Sequence, residues 1–509
     1  MYTPNGKKIL TFLCMLAFLA TASAAKAGKD TDTLNVGLTA EIATLDYYFG
    51  SGRNNLIMSQ HIFDTLIYKD QATGKFVPAL AESFEYLDDK TIEFTLRRGV
   101  KFHDGSELDA DDVVYTLNKV ADPDYGVVYQ IAVRWIDRAE KVGPHKVRLH
   151  MNQLYPVALE WLAGFLPIYP KDYYEKVGKE GMAVKPIGTG PYRVTDVTPG
   201  THWSLVRFED HYEGSPKGSA IGKIDVRVIP EANTQFTELL TGKLDFIWKF
   251  TPDQAERLAG RGGIDVKGTP ILRVVYMQPN TTDDSPMKDA RVRKAINHAI
   301  NRQQIMEAFV GSGAEVVHTP CNPVQFGCYS NVVSYPYDPG KAKALLADAG
   351  YPEGFSMKLL VSQSPSSARP VAEAILADLA KVGVTADIEI QQYAAAREKW
   401  IGGGYPMMFM SWGSWGIGDV AMITSEFFGG GDVDKVRDPD VIGYIKTADG
   451  SVDRAVREAN YTKVMKKVAE QAYWVPLWTY AVNYAVSEEL DFTLDTDEIA
   501  RFFNATWKQ

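Results

Sequence analysis

The chain has 509 residues, with 54 Lys and Arg against 64 Asp and Glu and a net charge of −10. Its basic residues are scattered rather than clustered, which argues against nucleic-acid binding. At 45% hydrophobic and 23% charged it reads as globular throughout, and its length exceeds what one core supports, so two or more domains are expected.

In chain order, Lys7 and Lys8 precede an apolar run over 9–20 and then small residues, with Ala22-Ser23-Ala24 and Ala25-Lys26-Ala27 as candidate cleavage sites. A charged start, a short apolar middle and an Ala-x-Ala end describe a cleavable signal peptide. The run is too short for a membrane-spanning helix, which takes roughly 20 residues. Cys14 follows Thr11, Phe12 and Leu13 rather than the small residues of a lipid-attachment site. Loss of residues 1–24 removes two lysines and takes the charge to −12. A soluble protein outside the cytoplasm, in the periplasm, is expected.

Alternation predicts a strand over 33–38, followed by a Gly, Ser, Asn and aromatic-rich loop over 41–55. A helix is expected over 56–66, two strands within 84–97 joined at Asp88-Asp89-Lys90, and a helix over 109–120. After Gly190-Pro191 come strands at 192–197, 203–208 and 224–229, a helix at 232–240 and a strand at 244–248. That strand–helix–strand order with apolar strands predicts a parallel α/β layer. A second α/β region over 274–473 has helices at 290–308, 339–349 and 370–382, and strands at 357–361, 385–391 and 407–411. Strands over 475–487 return to the first region. Two α/β regions joined by crossing strands predict a hinged clamshell with a ligand between its lobes. Cys321 and Cys328 lie in a Pro/Gly-rich loop, where an oxidising compartment favours a disulfide over the alternative of a metal pair.

No Gly-x-Ser-x-Gly elbow, His-Glu-x-x-His zinc site or Gly-Lys-Ser/Thr phosphate loop occurs, and the eight histidines are dispersed. No catalytic set, metal site or cofactor is expected. A secreted hydrolase is the disfavoured alternative from another class.

Four segments carry a resemblance. The first is Pro78-Ala79-Leu80-Ala81-Glu82-Ser83-Phe84, running on through Phe102-His103-Asp104-Gly105 to Ala110-Asp111-Asp112-Val113-Val114-Tyr115. The others are Gly188-Thr189-Gly190-Pro191-Tyr192, Asp289-Ala290-Arg291-Val292-Arg293-Lys294-Ala295-Ile296-Asn297 and Tyr337-Asp338-Pro339-Gly340-Lys341-Ala342. In this order, collinear over about 33–485, they resemble the extracytoplasmic solute-binding proteins of the peptide/nickel/opine group that serve ATP-driven importers. On the residues alone, Phe102-His103-Asp104-Gly105 reads as a turn with His103 in a local hydrogen bond. Gly188-Thr189-Gly190-Pro191 reads as flexible backbone before a fixed proline. Arg291, Arg293 and Lys294 read as structural ion-pairing residues.

The resemblance implies a large clamshell with an extra subdomain. Lobe 1 is expected to be discontinuous (33–55, 187–270 and 475–509), with 56–186 as the subdomain and 271–474 as lobe 2. It implies capture of a peptide or peptide-like solute by a monomer and delivery to an inner-membrane ABC permease with its ATPase. An opine, a sugar or amino-acid conjugate, or a chelated nickel ion are the alternative ligands, and a chemotaxis receptor would use the same capture step. Peptide-binding members hold the ligand ammonium on the aspartate of a Trp-x-x-Asp segment. Here Trp412 is followed three residues on by Trp415, which puts ordinary peptide binding in doubt; Asp419, four further, either serves in the aspartate's place or only braces the loop. Indole faces suit sugar rings, aromatic groups and cations. The expected ligand contacts are therefore Trp412, Ser414, Trp415 and Asp419, with Arg53 for a carboxylate, and Tyr276, Asn280, Trp248 and Tyr393.

Overall fold

The computed structural model describes residues 28–509 apart from 43, 51, 312 and 364–366. The expected leader and its cleavage sites lie outside the described residues. Among those described, no helix is long and apolar enough to cross a membrane.

A ten-stranded sheet runs through the molecule. At one end Thr33–Leu38 lies between Lys223–Val228 and Phe246–Phe250 and is parallel to both. Helix Ala232–Leu240 makes the crossover between the two flanking strands, which is the parallel layer expected from the apolar periodicity. His202–Arg207 and Tyr192–Thr198 extend this end antiparallel. At the other end Phe355–Ser362 is parallel to Val384–Gln391 and to Met407–Trp412, with helices Ala368–Ala380 and Tyr393–Gly402 in the connections.

Two long strands, Ile264–Pro279 and Val475–Ser487, pair antiparallel and join these halves. The first also pairs with Met407–Trp412 and the second with Phe246–Phe250. Register breaks occur at Leu272–Arg273 and at Lys249. A bulge turns its side chain out of strand alternation, so each break re-aims a basic residue. It also hides the period on which a strand is recognised, and the long strand Ile264–Pro279 had not been expected from sequence.

A separate four-stranded antiparallel sheet is built from Ala81–Asp88, Thr91–Leu96, Lys146–Met151 and Ile136–Gly143. Helix Ala110–Ala121 buries Val113, Leu117 and Val120, and Asp109 and Asp112 satisfy its first amides in a reciprocal capping box.

Two helices differ from expectation. The one expected over 56–66 is Arg53–Ile62: Asn54 and Asn55 donate to the carbonyls of Ala40 and Thr44 and draw the preceding loop into its first turn. The helix expected over 290–308 is two, Ala290–Ala299 and Arg302–Phe309, because Ile300 is extended and Asn301 caps the second.

The segments Phe102–Gly105 and Gly188–Tyr192 interlock. His103 bonds the Gly190 carbonyl at 2.9 Å, and its backbone N–H donates to Gly188 O at 2.8 Å; the histidine contact is remote in sequence, not local as expected. Burial pushes the His103 imidazole down to about 4, so it stays neutral at physiological pH. Asp64, beside Thr189, is buried as well. Burial alone would raise its carboxyl, but Lys217 at 2.8 Å and His211 bring it to about 2. This node fixes the C-terminal end of helix Arg53–Ile62. The glycines serve close approach rather than flexibility: a Cβ on Gly190 would lie 2.6 Å from His61 O, and one on Gly188 2.2 Å from Ile62 O. Gly190→Ala is therefore expected to lower the unfolding free energy by about 1–3 kcal/mol, measured by urea denaturation.

Candidate ligand-binding cleft

Where the two halves of the sheet meet, a cavity of about 430 Å³ is lined by Arg53, Lys249, Arg273, Glu498, Tyr129, Tyr393, Ser411, Trp412 and Trp415, among others. Four remote segments supply its charges. Arg53 is the first residue of helix Arg53–Ile62, whose N-cap Gly52 offers no side-chain acceptor, so the positive end of the helix adds to the local field. Lys249 and Arg273 stand at the two strand bulges. Glu498 lies in the tail after Val475–Ser487, in a turn closed by its N–H on Asp495 O.

The carboxylate organises the three cations. Glu498 Oε2 is 3.5 Å from Arg53 Nη2 and 3.5 Å from Arg273 Nη2, and Arg273 Nη1 donates to Ser411 Oγ at 3.3 Å. Burial would raise the Glu498 carboxyl, but Arg273, Arg53 and Lys249 pull it down to about 2. Lys249 is open to the cleft yet closely surrounded by protein, its ammonium 4.2 Å from the centroid of the Trp248 ring. Burial lowers that ammonium to about 8, with Glu498 opposing the shift and Arg53 and Arg273 assisting it. Below that pH the cluster carries three positive charges and one negative.

Aromatic faces form the walls. Tyr129 and Trp415 meet edge to face, centroids 5.3 Å apart, and the Tyr129 hydroxyl accepts from Gly52 N at 2.7 Å. Trp412, 8% exposed, packs edge to face against Phe427, centroids 5.2 Å apart, and Tyr393 shares the cavity lining with it. The segment 417–420 that follows the tryptophans is held from behind by the Cys321–Cys328 disulfide loop, whose cysteine Cα atoms are 5.9 Å apart. Phe326 N donates to Gly418 O, Val420 N to Phe326 O and Gln325 Nε2 to Ile417 O, at 2.9, 3.0 and 3.0 Å.

Of the residues expected to contact ligand, the structure brings Arg53, Tyr393, Trp412 and Trp415 together in this cavity. Ser414 is fully buried between Gly413 and Trp415. Trp248 is buried beneath Lys249 and reaches the site only through it. Tyr276 is buried against Trp474, centroids 3.7 Å apart. Asn280 is buried, its Oδ1 accepting from Thr282 and Asp283. Asp419 does not line the cavity: both its oxygens lie 2.9 Å from Arg457, which continues through Tyr461 to Asp449. It braces the tryptophan loop.

Lys249, Arg273, Glu498 and Tyr129 were not anticipated. The signal that existed was a lone arginine inside the apolar run Ile271-Leu272-Arg273-Val274-Val275. A larger opening of about 480 Å³ is lined by Ile131, Arg134, Tyr155, Met422, Glu426 and Asp449 among others and shares no lining residue with this cavity.

Asp419→Ala leaves the buried Arg457 guanidinium without its carboxylate and is expected to cost about 3–5 kcal/mol of stability, read by chemical denaturation. Ligand affinity of the remaining folded protein should change little, whereas a ligand-contacting aspartate would show the opposite pattern.

The family model for bacterial extracellular solute-binding proteins, family 5, matches residues 75–435. Heme-binding protein A of Haemophilus influenzae is 27% identical over 459 residues, 84% of this chain and 83% of that protein. The glutathione-binding protein GsiB of Salmonella typhimurium is 31% identical over 378 residues, 73% of this chain and 72% of that protein. The solved structure of HbpA2 from Haemophilus parasuis superposes with a TM-score of 0.83 at 24% identity, covering 94% of this chain and all of that one. The expected two-lobed architecture is thus the one observed. With a match over most of its length, the chain belongs to the bacterial extracellular solute-binding proteins of family 5.

Proposed function

We propose that the protein is the periplasmic substrate-binding component of an ATP-driven importer and that it captures a peptide or peptide-like solute by a free carboxylate. The observation that carries this reading is the convergence of Arg53, Lys249 and Arg273 on the single carboxylate of Glu498 beneath an aromatic wall. A neutral solute would leave that excess positive charge uncompensated in a site partly withdrawn from water. Family membership and the relatives' names favour a binding role over a catalytic one. A leader cleaved after Ala24 or Ala27, a monomeric state, and a permease with its ATPase as partners complete the reading.

The position of Asp419 favours anchoring through the carboxylate rather than through a terminal ammonium, because that acid is taken by Arg457. The flat faces of Trp415, Tyr129 and Tyr393 keep a second reading open, an opine or a sugar or amino-acid conjugate that also bears a carboxylate. In either case the solute shifts the lobes toward closure only through contacts it makes better in the closed form, and the closed form is presented to the permease.

Native mass spectrometry of the exported protein before and after denaturation identifies the released solute. Calorimetry with short peptides, each as free acid and as C-terminal amide, then tests the anchor; equal affinity for acid and amide overturns it. Arg273→Ala removes a charge-assisted bond of about 1.5–3 kcal/mol, so affinity for the acid should fall roughly ten- to hundredfold. The pH profile has a defined sign. An anion binds the charged form of Lys249, so affinity should hold up to the free protein's value of about 8 and weaken as pH rises through it, by at most about tenfold per pH unit. A profile that is flat from pH 7 to 10 excludes Lys249 from the contact.

A further inference from the structure

A second cavity of about 230 Å³ lies against the ionic cluster, lined by Thr251, Tyr480 and Asn483 among others. The two cavities have Lys249, Arg273 and Glu498 in common and no other described residue. These three residues are therefore the partition between two compartments, with Lys249 and Arg273 accessible from both and Arg53 from the larger alone.

The partners of these cations are unequal. Arg53 and Arg273 share one oxygen of Glu498, each at 3.5 Å, a distance that leaves both guanidinium forks open to a better acceptor. Lys249 has no hydrogen-bond acceptor and no ion-pair partner among the described residues, and its ammonium rests on the Trp248 ring. Its side chain is exposed to the cleft, so an acidic group entering from there would be its first acceptor. The bulge and the positive φ of 63° at Lys249 direct the side chain there at the expense of backbone strain. One internal carboxylate against three cations leaves two positive charges, so a monoanionic solute would leave one of them unmatched.

We propose that the captured solute is a diacid whose two carboxylates straddle the cluster. One acidic group would lie on Arg53 and Arg273 in the aromatic-walled cavity and the other on Lys249 in the smaller cavity beside Thr251, Tyr480 and Asn483. Lys249 is then the residue that selects diacids over monoacids. This deepens the carboxylate-capture reading and rests on it.

The test is calorimetry on the mature protein with two matched pairs, Ala-Glu against Ala-Gln and the tripeptide glutathione against its glycine carboxamide. In whichever pair binds, the diacid should bind about tenfold or more tightly than its monoacid twin, the worth of one charge-assisted bond. Lys249→Met should bring that ratio close to unity, and Lys249→Arg should recover part of it, which separates charge from packing. Equal binding of diacid and monoacid by the unaltered protein overturns the diacid proposal and leaves the carboxylate anchor standing. A preference that survives Lys249→Met overturns the role of Lys249. Failure of all four probes to bind overturns both readings.

Discussion

Repulsion among Arg53, Lys249 and Arg273, held in check by the one carboxylate of Glu498, is the constraint on which the cleft depends. Three cations that share the lining of one cavity repel one another, the more so where the site is partly withdrawn from water. The buried acid among them makes the arrangement tolerable, and its carboxyl is accordingly held at about 2. The balance is left incomplete, and that incompleteness gives the site its chemistry. An anion entering the cavity relieves a repulsion already built into the fold, so its binding energy is charge-selective before any shape is considered. Arg53 belongs to the helix following the first strand and Arg273 to the strand joining the two halves, so the relief acts where the halves meet and favours their approach.

Holding such a cluster requires unusual backbone. Among the described residues, seven other than glycine have positive φ, and four of them, Lys249, Ser414, Trp415 and Glu498, lie in or beside the cleft. Each costs on the order of 1 kcal/mol or more, and such residues persist only where the surroundings over-determine them. Those surroundings are visible. The long paired strands fix the bulges at Lys249 and Arg273. The disulfide loop hydrogen-bonds to the backbone of 417–420, and the Asp419–Arg457 pair closes its far side. The disulfide and the buried ion pair therefore stabilise the segment behind the tryptophans without lining the cavity.

Much of the fold was legible because the period survived. The parallel layer around Thr33–Leu38 and the helix Ala110–Ala121, with its Asp109 cap, are local patterns that tertiary packing did not override. The strand Ile264–Pro279 was not legible as one element, since its bulges break the alternation at Arg273. The site divides along the same line. Trp412 and Trp415 stood out as aromatics in a glycine-bearing loop at a strand end, and Arg53 as a lone charge in an aromatic loop; both are local signals. Lys249, Arg273 and Glu498 are brought together from positions up to 249 residues apart by the crossing strands and the returning tail, and no spacing rule connects them. Asp419 was read as a ligand contact from its place after Trp412 and Trp415, and its partner Arg457, 38 residues on in the helix Arg454–Glu470, gave no local signal. A buried carboxylate is a ligand site only if no arginine has already claimed it.

The cluster and the aromatic wall divide recognition between them. Indole and phenol faces bury area with little regard for chemical detail, and they suit sugar rings, side chains and conjugates alike. Charge complementarity discriminates, because mismatched charge in a partly desolvated site costs more than matched charge gains. Arg53 and Arg273 stay charged at any pH the protein meets and present planar forks to a carboxylate. Lys249 is a compact charge whose burial places it near its titration point. Of one permanently charged pair and one adjustable charge, the lysine is, on the proposed reading, the position where a single substitution or a shift in external pH would alter which solutes are held, while the arginine pair and the aromatic wall would keep the cleft selective for carboxylates.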